Sequence, residues 1–474
     1  MTWSLGTAGD VCQAQARSHS PCAHPALVLT TCILASSLAF VDGSVVNVGL
    51  PAIGRNLHAG AAELQWVINA YLLPLSALLL IGGAAGDRFG RRGVLLFGVS
   101  LFGAGSAFCT LAPALGWLLF ARALQGTGAA LLLPSSLAIL GAAFPGEARG
   151  RAVGTWSAAS SVAAALGPVL GGWLIDAFGW RDIFLINIPL AIAAVVLALV
   201  FVRKDRPETE APLDTRGALL ATLALAAVTW GLTTGAGRGA SPIGAAATVA
   251  AGIVLLGAFV WVERAQKNDA MMPLALFESA DFIGLTLLTL LLYGALGALL
   301  VMVPYVLIQG AGYSGTAAGA ALLPFPIILA LTSRAMGGVA GRFGSRLPLT
   351  AGPIVIAVGF LLLLRVNPGT DYWRGVAPAI AVMSIGMAGA VAPLTTAVLA
   401  SVDAKHTGSA SGLNSAVART GGLIATALLG GIFAATGPDL YSAFHQAALV
   451  CALACIAAGV SAALLVGRRE RLAR

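Results

Sequence analysis

Fourteen times along the chain an apolar run continues for about twenty residues before a charged or turn-forming stretch interrupts it. A run of that length, wound as an α-helix, matches the hydrocarbon layer of a bilayer, about 30 Å thick. Lipid offers the backbone no hydrogen bonds, so repeated runs of this kind fold into a helical bundle. The runs are 26–52, 64–86, 93–115, 117–141, 152–177, 184–203, 216–236, 242–263, 282–308, 315–338, 347–366, 375–400, 410–437 and 442–466. Composition agrees, because only 10% of the 474 residues are charged and 58% are hydrophobic. A soluble domain carries about a quarter charged residues and could not cover itself with so few. The first run is too long for a signal-peptide core and contains Asp42, so it is expected to stay as a span. Residues 1–25 are polar and irregular and read as a flexible cytoplasmic tail.

The net charge of +8 is spread between the runs, singly or in short groups, and forms no phosphate-binding face. It reads as topology. With the N-terminus inside, Arg88, Arg91, Arg92, Arg149, Arg151, Arg203, Arg216, Arg264, Arg342 and Arg346 fall on inner loops, and the basic tail 467–474 joins them. Outer loops hold only Arg55, Arg181, Arg238, Arg365 and Arg374. Such asymmetry implies an even span count with both termini in the cytoplasm.

Two polar linkers, 203–216 and 263–281, isolate a pair of spans, with Gly235, Gly237 and Gly239 marking the turn between them. They divide the chain into a six-helix bundle at 26–203, a linker with two inserted helices at 204–281, and a second six-helix bundle at 282–466. An internal echo supports the division. GAAGDRFGRR at 83–92 and GGVAGRFGSR at 337–346 occupy equivalent inner loops, with Gly341 replacing the acid. Duplicated halves place a substrate site between them near the bilayer midplane.

Three sets of residues carry chemistry. Asp42 is the acid that lies deep in a span, where a carboxylate costs about 2.5–3.5 kcal/mol on insertion scales and therefore faces a cavity or a partner. Arg122 and Gln125, at i,i+3 in ARALQGTG, share one face of the fourth span, and Asp42 is a candidate partner for Arg122. A proton carrier must change protonation, which makes Asp42, with Arg122 beside it, the expected coupling group. In the loop 83–92, Gly83 and Gly90 allow tight turning and close approach, Asp87 suits the start of the third helix, and Arg88, Arg91 and Arg92 suit acids or lipid phosphate. In the fifth span, Gly154, Ala158, Ser161, Ala165, Pro168 and Gly172 form one small-residue stripe. Ser157, Ser160, Ala164, Gly167 and Gly171 form the adjacent one, opposite Val162, Leu166, Val169 and Trp173. A face this smooth lets another helix pack closely and pivot.

These motifs, in this order over residues 26–466, resemble the major facilitator superfamily, in its fourteen-helix drug:proton antiporter branch. Asp42 to Pro51 is similar to that branch's Asp-x-x-Val-Val-Asn-x-x-Leu-Pro signature. Gly154, Gly167, Pro168 and Gly171 match its antiporter motif, where Ala163 replaces a glycine. LQWVINAYLL, WRDIFLINIP and GLNSAVARTGG are fainter echoes, the last containing Arg419, a second intramembrane cation. The resemblance implies an all-α major facilitator fold and a conformational latch at Gly83, Asp87, Arg88, Gly90, Arg91 and Arg92. It also implies proton-coupled export of small amphipathic drugs or antibiotics across the cytoplasmic membrane. Asn69, Tyr71, Gln125, Trp156, Tyr293 and Asn414 are candidate cavity residues.

The expected partners are a small-molecule substrate, protons and the lipid bilayer, with no cofactor, metal or nucleic acid and a monomeric chain. Uptake of a metabolite or siderophore is the transport alternative, and a non-transporting sensor or scaffold the alternative of another class. The sequence has no G-x-x-x-x-G-K-[ST] loop, no G-x-S-x-G elbow and no His/Asp/Glu cluster with metal spacing, which argues against enzyme chemistry. Its six cysteines include no CxxC pair and read as small packing residues.

Overall fold

A computed structural model describes residues 24–144, 146–205, 213–235, 241–266, 270, 272, 274–402 and 407–467. The tail 1–23, linker residues 206–212, Gly237 and Gly239 of the insert turn, and residues 468–474 lie outside this set. The described residues contain fourteen helical stretches long and apolar enough to cross a membrane. The first bundle comprises α1 (Pro25–Leu57), α2 (Ala61–Phe89), α3 (Arg91–Thr110), α4 (Leu115–Ala143), α5 (Gly146–Ala177), α6 (Asp182–Leu185) and α7 (Asn187–Phe201). Two helices follow, α8 (Thr215–Gly235) and α9 (Pro242–Gln266). The second bundle comprises α10 (Ala280–Gln309), α11 (Gly315–Ala320), α12 (Pro324–Phe343), α13 (Arg346–Leu362), α14 (Tyr372–Ala400), α15 (Thr407–Leu428), α16 (Gly430–Ala434) and α17 (Pro438–Leu465).

Three spans that read as continuous in the sequence are broken. The sixth is split at Ile186 into α6 and α7, three residues before Pro189, which has no N–H for a helical bond. The tenth is split into α11 and α12 by a turn at 321–323, with Pro324 opening α12. The thirteenth breaks at Leu429, between α15 and α16.

Large apolar side chains cover the outside, among them Leu331 (76% exposed), Trp173 and Ile192, which suits hydrocarbon as the solvent. The protein is a multi-pass membrane protein. Inside the first bundle, glycines allow backbone-to-backbone approach. A Cβ at Gly126 of α4 would overlap the Tyr71 carbonyl oxygen of α2, and one at Gly128 would lie 2.7 Å from the Gly98 carbonyl oxygen of α3. Helix α8 packs on both α2 and α15, with Trp66 and Trp230 ring centroids 5.4 Å apart, and α9 lies outside it against α8. The two inserted helices therefore lie outside the seam that α2 and α15 form between the bundles.

Candidate functional site

Asp42 sits in mid-α1 with no solvent exposure, and α4 brings Arg122 against it as an ion pair. Both carboxylate oxygens are hydrogen-bonded. One oxygen takes Arg122 Nη1, and the other accepts from Gln125 Nε2 at 3.0 Å and from Asn187 Nδ2 of α7 at 3.1 Å. Arg122 also donates from Nε to the Val67 carbonyl at 3.1 Å and from Nη1 to Gln125 Oε1 at 2.8 Å. Its guanidinium carbon lies 4.4 Å from the Tyr71 ring centroid, a cation–π contact. Gln125 donates to Ser106 Oγ of α3 at 2.8 Å and accepts from Cys109 Sγ at 3.3 Å. Five helices of one bundle thus close a buried charge pair in which both carboxylate oxygens and two of the three guanidinium nitrogens are hydrogen-bonded. Such a pair persists in a low-dielectric interior only with satisfaction of this kind.

The small-residue stripes of α5 have separate neighbours. A Cβ at Gly167 would overlap Ser44 Oγ, and one at Gly171 would overlap Val45 Cγ2, so this stripe packs on α1 within its own bundle. The other stripe meets the second bundle. A Cβ at Gly172 would overlap the Gly315 carbonyl of α11, and one at Gly319 would overlap the Pro168 carbonyl. The expectation of one smooth face against which a single helix packs and pivots is therefore corrected. Gly167 and Gly171 fix α5 to α1, while Pro168 and Gly172 touch the opposite bundle.

On the same face, Ser161 and Gly154 are exposed, and a Cβ at Gly154 would meet nothing within 4 Å. One helical face thus passes from buried against α11 at the outer end to exposed at the inner, arginine-rich end. Two sets of hydrogen bonds join the bundles at the outer end. Asp176 of α5 accepts from Gly315 N (3.0 Å), Thr316 N (2.8 Å) and Thr316 Oγ1 (2.6 Å), and Gln65 of α2 donates to the carbonyls of Thr426 (3.0 Å) and Ala427 (2.9 Å) of α15.

The inner loop between α2 and α3 differs from its sequence reading in two respects. Asp87 is in the last turn of α2 and pairs with Arg91 at 3.2 Å, and does not open α3. The carboxylate at the start of α3 is Asp205, which accepts from Arg91 N at 2.6 Å and Arg92 N at 3.2 Å. Gly90 turns the chain with φ +91°, and Gly344 does so at +78° in the second copy. Gly83 makes no close approach, whereas a Cβ at its neighbour Gly82 would overlap the Ala130 carbonyl. Arg92 donates to the Leu199 carbonyl at 2.6 Å, and Arg88 lies 5.6 Å from the Phe89 ring centroid.

Residues 32–301 and 285–474 match the family model described as Major Facilitator Superfamily. The chain belongs to the Major Facilitator Superfamily. Among relatives of this transporter, the Multidrug resistance protein Stp of Mycobacterium tuberculosis (strain CDC 1551 / Oshkosh) is 33% identical over 84% of this chain and 74% of its own length. The Methylenomycin A resistance protein of Streptomyces coelicolor is 32% identical over 92% of this chain and 91% of its own. The fold is shared with a solved structure described as the in meso crystal structure of the POT family transporter PepTSo. That likeness has a TM-score of 0.69 at 14% identity, covering 94% of this chain and 99% of that one.

The remaining cavity candidates of this facilitator fall into two groups. Tyr71 and Trp156 are structurally committed, with Tyr71 Oη donating to the Ala39 carbonyl at 3.0 Å and Trp156 Nε1 to Ser36 Oγ at 2.9 Å. Asn414 accepts from Thr289 Oγ1 at 2.7 Å. Asn69 is fully buried with neither side-chain polar atom hydrogen-bonded, and Tyr293 is partly buried on α10. Sequence reasoning missed Asn187, Ser106 and Asp205 as working partners. Asn187 stood inside WRDIFLINIP, and a polar residue in so apolar a run was the available signal.

Proposed function

We propose that this facilitator exports small amphipathic drugs or antibiotics from the cytoplasm in exchange for protons, acting as a monomer and without a cofactor. The observation that carries the reading is the Asp42–Arg122 pair, a buried carboxylate with both oxygens hydrogen-bonded, in a bundle whose α5 face leaves the second bundle toward the inner side and there lines a cleft. Protonating Asp42 removes the charge that holds Arg122, Gln125 and Asn187 together, so the first bundle has a charged and a neutral arrangement. The export direction is supported by the resistance and export names that related proteins carry. Proton entry supplies about 2.3 kcal/mol per 100 mV and about 1.4 kcal/mol per pH unit. Together, roughly 3.7 kcal/mol sustains a substrate gradient of several hundredfold.

Purified protein in liposomes under an imposed pH gradient tests this. Wild type concentrates a neutral fluorescent substrate, whereas Asp42→Asn exchanges it downhill and fails uphill. Removing one partner of a buried pair costs about 3–5 kcal/mol, so Asp42→Asn/Arg122→Gln serves as the folded control. An Asp42→Asn protein that still pumps the neutral substrate uphill with protons moving would take Asp42 out of the mechanism.

A further inference from the structure

Arg419 is the cation that the Asp42 cluster leaves unexplained. It lies on α15 of the second bundle, and its guanidinium reaches across to α1, 6.0 Å from the ring centroid of Phe40. Among the described residues its side chain has no hydrogen bond or ion pair. The groups within electrostatic reach are the phenols of Tyr71 and Tyr293, not a carboxylate. Asp42 is two residues beyond Phe40, but its oxygens are already taken by Arg122, Gln125 and Asn187. Phe40 in turn packs edge-on against Trp156, with centroids 6.5 Å apart. Among the described residues, a permanently charged, half-buried guanidinium therefore lies against an aromatic wall, at the meeting of the two bundles, without a counter-ion.

A guanidinium at this depth is costly unless something neutralises it, and its planar fork matches a carboxylate in a bidentate pair. We propose that Arg419 anchors the anionic group, a carboxylate or a group of like geometry, of a substrate whose body is apolar and aromatic. The assignment rests on the export reading and narrows it to amphipathic acids. Phe40 receives the ring system, and Arg419 receives the charge. A substrate so placed bridges α1 and α15, one helix from each bundle, which is where a ligand must sit to sense their relative movement. A dication finds no acceptor there, since Asp42 is occupied.

Three naphthalene probes separate the possibilities: 2-naphthoate, its methyl ester, and a naphthylmethyl trimethylammonium ion. Binding is measured by scintillation proximity on the full chain in phosphatidylcholine nanodiscs. Wild type should bind naphthoate about tenfold or more tighter than the ester, the scale of a charge-assisted pair. Arg419→Gln should abolish that difference while leaving ester affinity unchanged, and Arg419→Lys should keep part of it. Equal wild-type affinity for acid and ester overturns the assignment. So does an Arg419→Gln protein that loses both probes alike, because that marks a structural role. Phosphatidylglycerol nanodiscs give the third arm. If anionic lipid displaces naphthoate from wild type, the occupant is a headgroup and not a solute. Transport in liposomes distinguishes the parent reading. If no probe is concentrated under a pH gradient, the export reading fails and takes this one with it. If the ester or the ammonium ion is exported while naphthoate is neither bound nor exported, only the Arg419 assignment falls.

Discussion

Removing the carboxylate of Asp176 should release the outer end of the cleft. Asp176 gives two oxygens to α11: one bonded to Gly315 N at 3.0 Å, the other to Thr316 N at 2.8 Å and Thr316 Oγ1 at 2.6 Å. Ser314 serves the next free amide, Ala317 N, at 3.2 Å. Asp176 thus caps a helix of the opposite bundle, and Asp176→Ala deletes a cap that exists only while the outer end is closed. Caps of this kind are worth about 0.5–2 kcal/mol. Asp176 is solvent-exposed, so the lower half of that range applies, about 1 kcal/mol. A change of that size multiplies the outward-open population about fivefold.

The reporter is Thr426→Cys at the outer seam, where Thr426 is 1% exposed and where Gln65 binds only the backbone carbonyl. The described native cysteines, Cys32, Cys109, Cys451 and Cys455, are buried and form no disulfide, and the reporter protein would also carry Cys12→Ser and Cys22→Ser. Labelling of the introduced thiol by an impermeant maleimide from outside should speed up about fivefold in Asp176→Ala, in proportion to the population shift. Thr316→Val, which removes one bond of three, should give a smaller rise. An unchanged or slower labelling rate in Asp176→Ala would refute the latch.

Asp205→Ala should lower the thermal midpoint of the purified protein, since it uncaps α3 at Arg91 N and Arg92 N at a cost of about 0.5–2 kcal/mol. Asp87→Ala, which breaks one partly exposed pair with Arg91, should cost less than 1 kcal/mol, about what surface pairs are worth, so a larger loss there than at Asp205 would overturn the reassigned cap. Gly172→Val should abolish drug resistance in an efflux-deficient host while the protein still accumulates in membranes, because the added carbons occupy the Gly315 backbone. Val162→Leu, on a residue 57% exposed on the opposite face of α5, should be mild, and equal losses from the two would count against α5 as the contact between bundles.

The fourteen runs were legible because hydrophobic length is a local property, written in each segment without reference to its neighbours. The Asp42–Arg122 pair was legible for a related reason. An acid and a base each too costly for lipid must find partners, and few spans offer any. What stayed hidden depended on packing between segments far apart in sequence. Asp87 stands next to the start of α3 in sequence, yet the acid that arrives there, Asp205, comes from the linker just beyond α7. Periodicity found two small stripes on α5 but could not say that one faces α1 and the other α11. Gly83 and Gly82 differ by one position and so by about 100° around the helix, which decides which of them meets Ala130.

The position of α5 between those two neighbours bears on how a proton could move a substrate. The Asp42 cluster lies wholly within the first bundle, so separating the bundles does not by itself break it. Ser44 and Val45 follow Asp42 on α1 and meet Gly167 and Gly171 of α5, and the adjacent stripe of α5 meets Gly315 and Gly319 of α11. A change in the tilt of α1 on neutralising Asp42 is therefore delivered to α5 without side-chain slack, because glycines leave backbone against side chain. From α5 it passes directly to the second bundle beside the Asp176 cap. Contiguity alone does not establish coupling, and a double-mutant cycle measures it. If Asp42→Asn and Asp176→Ala change the outer labelling rate independently, with no interaction beyond about 0.5 kcal/mol, α5 is a structural filler. A larger interaction makes it the element through which the buried carboxylate governs the outer closure.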